Sequence, residues 1–121
     1  MTNAEIAAAF EHVADLLEFK GENPFRVRAY RNAGRTIGDL GHSISDMVYS
    51  GEDLTAIEGI GKDLAEKLVT LVRTNRLPIL DELLAEIPEG VLAMLRVPGL
   101  GPKRAAVLYH ELHVTSLEEL R

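Results

Sequence analysis

The residues whose spacing suggests chemistry sit in two stretches forty positions apart, "IEGIGKDLAEKL" at 57–68 and "VPGLGPKRAAVL" at 97–108. Aligned on each other, they pair Gly59 with Gly99, Ile60 with Leu100, Gly61 with Gly101, Ala65 with Ala105 and Leu68 with Leu108. In each copy the glycines permit backbone angles and close approaches that a Cβ would block. The apolar residue between them plugs the angle between two helices, and the alanine one turn later lets those helices pack closely. Such a corner aims free N–H groups, backed by a helix N-terminus, at one point in solvent, which is a cradle for phosphate. Lys62 follows the first corner, and Lys103 and Arg104 follow the second. A site of this kind holds nucleic-acid backbone without reading bases, so its binding is sequence-neutral and salt-sensitive. One glycine corner alone says little, since any tight turn between helices uses glycine. Two matched copies say more, against the alternative that both merely reverse the chain.

The copies differ at one telling position, where Lys67 in the first corresponds to Val107 in the second. Valine serves there, so the fold does not demand lysine. The plainest reading of Lys67 is a surface lysine paired with Asp63 at i,i+4, worth about 0.3 kcal/mol. A second cluster, "FRVRAYRNAGR", holds Arg26, Arg28, Arg31 and Arg35 without an acidic residue. On a helix Arg28, Arg31 and Arg35 fall within about 60° of one another, as an anion-binding edge or simply a solvated face.

Composition sets bounds on all of this. The net charge is −6, but residues 1–19 carry −4, residues 77–121 carry −3 and residues 20–76 carry +1. Any anion-binding surface is therefore local, and the chain does not read as an indiscriminate coat for DNA. With no cysteine there is neither a disulfide nor a thiolate metal site, and the four histidines show no convincing ligand spacing. The N-terminus lacks a basic leader or a long apolar run, so neither a signal peptide nor a membrane span is expected. A cytoplasmic, monomeric protein is the expectation.

The elements that must position these residues all read as helices. Thr2 and Glu5 have capping-box spacing, and Ile6, Phe10, Val13 and Leu17 form the buried stripe of a first helix. A second helix begins near Pro24 and runs to about Leu40, with Ala29, Tyr30, Ala33, Ile37 and Leu40 on one face. "SISDMVYSG" is a short third helix and "EDLTAI" a single turn. The first glycine corner leads into "KDLAEKLVTLVRTN", followed by a helix with Pro78 in its first turn. "EGVLAMLRVPGLGPKRAAVLYHEL" repeats helix, corner, helix, and "TSLEELR" begins a last turn. No segment reads as a strand. The fold class is all-α, with residues 1–85 one helical domain containing the first corner and residues 86–121 a second unit. The final turn suggests a piece of a longer chain.

This pattern is the helix-hairpin-helix motif. With "AYRNA" in the second helix and both corners at the right distance, nearly the whole chain resembles the N-terminal part of family X DNA polymerases, its bacterial members in particular. The resemblance implies a module that straddles gapped or nicked DNA bearing a 5′-phosphate, in base-excision or gap-filling repair near the nucleoid. The first hairpin would hold the downstream strand and the second the upstream primer strand. It also implies a monovalent cation, Na⁺ or K⁺, on the backbone carbonyls of Thr55, Ile57 and Ile60 in the first corner and of Leu95, Val97 and Leu100 in the second. No organic cofactor is implied. By the same resemblance Lys67 matches the nucleophile of a 5′-deoxyribose phosphate lyase, which attacks the C1′ aldehyde of an abasic sugar. Tyr30 matches a tyrosine beside that lysine, and Arg26 a basic residue of the 5′-phosphate pocket. Partial burial and nearby cations are expected to lower the pKa of Lys67. The chain departs from the family pattern at Thr55, Asp63 and Phe25, where basic residues or a histidine are usual. Polymerase chemistry needs clustered carboxylates for two metal ions, and none are grouped here. A third reading is a helical scaffold that keeps the hairpins without touching DNA.

Overall fold

The structure, a computed structural model, describes residues 1–87, 89–95, 101, 102 and 104–107. All regular structure among them is helical. Helix α1 (Asn3–Phe19) starts on the expected capping box: Thr2 Oγ1 accepts from the Glu5 amide at 3.2 Å, and the Glu5 carboxylate accepts from the Thr2 amide at 3.1 Å. It ends on Gly21, whose φ of +73° lets Glu22 donate back to the Leu17 carbonyl at 3.0 Å, a left-handed stop that favours glycine. Helix α2 (Pro24–Asp39) begins with proline in its first turn and Asn23 accepting from the Phe25 amide at 2.9 Å.

Helices α1 and α2 form the main packed pair. Alpha-1 buries Ile6, Phe10, Val13, Ala14, Leu16, Leu17 and Phe19. Alpha-2 buries Val27, Tyr30, Ala33, Gly34 and Ile37, so its inward face is turned from the one expected: Ala29 is exposed and Leu40 only half-buried. The cause is Gly34. A Cβ built there would lie 3.0 Å from Glu11 Cγ and 3.2 Å from the Ala7 carbonyl oxygen, so α1 approaches α2 along the side that glycine leaves open.

Helix α3 (Ile44–Tyr49) is capped by Ser43 and tied to the start of α1. The Asn3 side chain donates to the His42 carbonyl at 2.7 Å and accepts from the Ile44 amide at 2.9 Å. A short 3-10 turn (Leu54–Ala56), capped by Asp53, leads into the first glycine corner and α4 (Lys62–Thr74). Leu64, Leu68, Leu71 and Val72 face the core, and Asn75 ends α4 at φ +59°. Helix α5 (Pro78–Glu86) packs on α1, joined by the Lys20–Glu86 ion pair, and α6 (Glu89–Leu95) adds the buried Val91. None of these helices is long and apolar enough to cross a membrane.

Candidate nucleic-acid interface and lysine pocket

The first glycine corner is built as its sequence suggests. Ile57 closes the 3-10 turn by donating to Leu54, and Ile60 donates back to the Ile57 carbonyl at 3.0 Å. Gly59 stands at φ +86°, a left-handed conformation that side chains resist. Ile60 is buried as the plug. Gly61 is different: its φ of −85° suits any residue, and a Cβ there would meet nothing within 4 Å. Within the described structure, a side chain at 61 would crowd only something approaching from outside.

What Gly61 leaves open is the start of α4. Thr2, Asn23, Ser43 and Asp53 each cap their own element with a side-chain oxygen, and α5 begins on Pro78, which has no N–H. Gly61 supplies no side-chain cap, so the leading amides of α4 keep the unfilled donors every helix start presents, with the positive end of the dipole behind them. The second corner repeats part of this: Ala105 donates to the Gly101 carbonyl at 2.9 Å, as Ala65 does to Gly61 at 2.9 Å. Gly101 is exposed and Ala105 fully buried. The expected site residues Val97, Gly99, Leu100 and Lys103 lie outside the described residues; Leu95 closes α6 and Arg104 is exposed.

One turn along α4 is Lys67, half-buried with its side chain 24% exposed. Its Nζ lies 2.8 Å from Asp63 Oδ1. On its other side is the hydroxyl of Tyr30, whose residue is 2% exposed and whose ring stands edge-on to Phe10 at 5.5 Å. That hydroxyl makes no hydrogen bond of ordinary geometry, although the Lys67 ammonium is near enough for each to shift the other's ionisation. Burial pushes the Tyr30 pKa up, and the charges of Lys67 and Arg26 only partly oppose it. Tyr30 thus lies within electrostatic reach of both Lys67 and Arg26. Lys67 also lines a recess of about 200 Å³ with Glu66, Thr70, Leu77, Pro78 and Ile79.

The expected ionisation of Lys67 is reversed. Burial does pull its pKa down and is the largest single influence, but the Asp63 hydrogen bond, the Asp63 charge and Tyr30 together outweigh it, and the net direction is upward. In place of the cations expected for this role, the influences on Lys67 are burial, Tyr30 and the Asp63 carboxylate at 2.8 Å. Asp63, 77% exposed, turns back onto Lys67.

The arginines divide. Arg31 lies against α1, 3.1 Å from Asp15 and 3.9 Å from Glu18, which the count of residues within α2 alone could not reveal. Arg28 sits over the Phe25 ring at 5.8 Å, and Phe25 itself is 75% exposed. Arg28 and Arg31 border a recess with Glu18, Glu22 and Pro24, apart from the lysine pocket. Lys62 is exposed at the head of α4. The carbonyl of Ile57 accepts one hydrogen bond, from Ile60, and keeps a second lone pair. Among the described residues no group of three or more His, Cys, Asp or Glu side chains is placed to hold a metal ion. What sequence reasoning missed is that the Tyr30 hydroxyl is buried without a hydrogen bond of ordinary geometry, which only the packing around it decides.

Comparison with known proteins agrees with this geometry. A helix-hairpin-helix domain model matches residues 1–77. The DNA polymerase/3′-5′ exonuclease PolX of Bacillus subtilis (strain 168) is 35% identical over 121 residues, all of this chain and 20% of that protein. A DNA ligase of Halorubrum lacusprofundi is 34% identical over 108 residues, 87% of this chain and 13% of that protein. The chain thus spans about a fifth or less of the relatives it matches. With its glycine corner, its uncapped helix start and its all-helical fold in view, the chain belongs to the helix-hairpin-helix domain family and is homologous along its whole length to the N-terminal region of a family X DNA polymerase.

Proposed function

We propose that this chain is the DNA-gripping module of a gap-filling repair polymerase, holding the backbone of gapped or nicked DNA through its two glycine corners. The observation that carries this is the head of α4: leading amides without a side-chain cap, behind a Gly61 that no atom of the described residues requires to be glycine. Phosphate binding there uses backbone donors and the helix dipole, with Lys62 alongside and the carbonyls of Thr55, Ile57 and Ile60 offering a monovalent cation as a bridge. The names of both relatives, a DNA polymerase and a DNA ligase, fit DNA as the partner. Anisotropy with a single-nucleotide-gap duplex tests the reading. Binding weakens steeply with salt, by a slope of about −0.9 per phosphate engaged, and falls in Gly61→Ala while the fold survives. Binding indifferent to salt and to Gly61 refutes it in favour of a scaffold.

A second reading rests on the pocket: Lys67 is the nucleophile of a 5′-deoxyribose phosphate lyase, with Tyr30 orienting the sugar and Arg26 meeting its 5′-phosphate. The neutral amine attacks the C1′ aldehyde, forming a C–N bond and releasing water to leave an iminium. Loss of the C2′ proton then expels the 3′ oxygen, leaving a 5′-phosphate on the DNA, and hydrolysis returns the amine. Borohydride traps the iminium on a pre-incised abasic duplex. An adduct absent in Lys67→Ala supports the reading, and an equal adduct in that variant refutes it.

A further inference from the structure

The Lys67 pocket contains an element the lyase chemistry does not use. Asp63 occupies the second position of α4, where the helix dipole favours a negative charge, and from there it binds the Lys67 ammonium at 2.8 Å. It therefore brings a negative charge to the first turn of α4, whose leading amides have no side-chain cap, while its carboxylate is engaged by the amine that must lose a proton to react. The other groups near Lys67 are Tyr30 from α2, which is itself within electrostatic reach of Arg26, and Glu66 from α4; the start of α5 contributes Leu77, Pro78 and Ile79, none of them titratable. Asp63 is the only one of these drawn into a direct ion pair with the amine.

We propose that Asp63 is a positioning residue that restrains Lys67, holding it as an ammonium and placing an internal anion beside the phosphate site, so that the amine is released only when this contact opens. This rests on the lyase reading of the pocket for its functional meaning, but the restraint itself is a property of the protein. Two consequences follow. Removing the charge with Asp63→Asn frees the amine to be neutral more often, since the neutral fraction at a fixed pH well below the midpoint rises tenfold for each unit the midpoint falls. It also removes a repulsion from the DNA site, so gapped-duplex affinity rises at low salt and the advantage fades as salt screens it.

The test titrates Lys67 in the intact 121-residue chain. Its four lysines, Lys20, Lys62, Lys67 and Lys103, are reductively dimethylated with ¹³C and followed by NMR, the Lys67 resonance being assigned by its loss in Lys67→Arg. The Lys67 midpoint moves to lower pH in Asp63→Asn and returns toward wild type in Asp63→Glu, which restores the charge. Borohydride trapping at neutral pH is measured on the same variants without methylation, which would block iminium formation at Lys67, and rises several-fold in Asp63→Asn. An unmoved midpoint in Asp63→Asn overturns the restraint, whatever trapping shows. A moved midpoint with no Lys67-dependent adduct in any variant upholds the restraint and refutes the lyase reading instead. Because Asp63 is exposed and asparagine is nearly isosteric, the variant folds.

Discussion

Replacing Tyr30 by phenylalanine separates what this residue does for the fold from what it does for the pocket. The ring is buried and packs edge-on against Phe10 at 5.5 Å, and phenylalanine keeps both features. What is lost is a buried hydroxyl with no hydrogen bond of ordinary geometry. Burying an unsatisfied polar group costs about 1–3 kcal/mol. The nearby Lys67 ammonium recovers part of that, because the hydroxyl oxygen is attracted to it. We therefore expect Tyr30→Phe to stabilise the DNA-free protein by about 0.5–1 kcal/mol, which for a domain of this size raises Tm by roughly 2–5 °C. Thermal and urea unfolding measure it. Under the lyase reading proposed above, borohydride trapping also falls in this variant, since Tyr30 is there assigned to orient the sugar. A loss of stability exceeding about 1 kcal/mol would show that the hydroxyl is well satisfied in solution, and the account of a polar group held in waiting for a ligand would be wrong.

Other outcomes follow from the same structure. Gly59→Ala, at φ +86°, destabilises by about 1 kcal/mol, whereas Gly61→Ala changes unfolding by no more than a few tenths of a kcal/mol yet weakens gapped-DNA binding; paired unfolding and anisotropy measurements separate the two. Gly34→Ala pushes a Cβ against the Ala7 carbonyl, and overpacking of about 1–3 kcal/mol outweighs the roughly 1 kcal/mol gain in helix propensity, so urea denaturation shows a net loss. Stability against pH is dome-shaped. Thr2 lowers the Glu5 pKa and Thr55 lowers that of Asp53, so their contribution is present above the ordinary values of 4.5 and 3.8 and lost as pH falls through the lowered ones. Lys67 and Tyr30 are raised, so theirs is present below the ordinary 10.5 and 10.0 and lost as pH climbs through the raised values. Urea midpoints across the pH range trace both limbs, and Thr2→Ala flattens the acid one.

Local signals were legible wherever a single element decides the outcome. The Thr2–Glu5 cap, Pro24 and Pro78 at their helix starts and the corner at Gly59 all depend on a few consecutive residues, and each stands where the spacing puts it. The inward face of α2 was misjudged because hydrophobicity along one helix does not report where its neighbour comes closest. Gly34 carries no hydrophobic signal, yet it sets that line of approach, and Ala29 is left in water. That Tyr30 stands near Lys67 is legible only through resemblance to a family, since nothing in the chain's periodicity relates position 30 to position 67. The upward shift at Lys67 is not legible for a related reason: Asp63 reads as an i,i+4 surface partner, and its spacing gives no sign that it is the strongest influence favouring the charged amine.

The side chain of Asn3 joins the first turn of α1 to the first amide of α3, forty-one residues away, by accepting from Ile44 and donating to His42. Six residues cannot sustain a helix in water by themselves, so α3 has no existence apart from the assembled α1. The Ile44 amide should then exchange with deuterium only when the entire unit opens, which makes one proton a gauge of global unfolding. Ligands that merely loosen the glycine corner would leave that proton's lifetime unaltered.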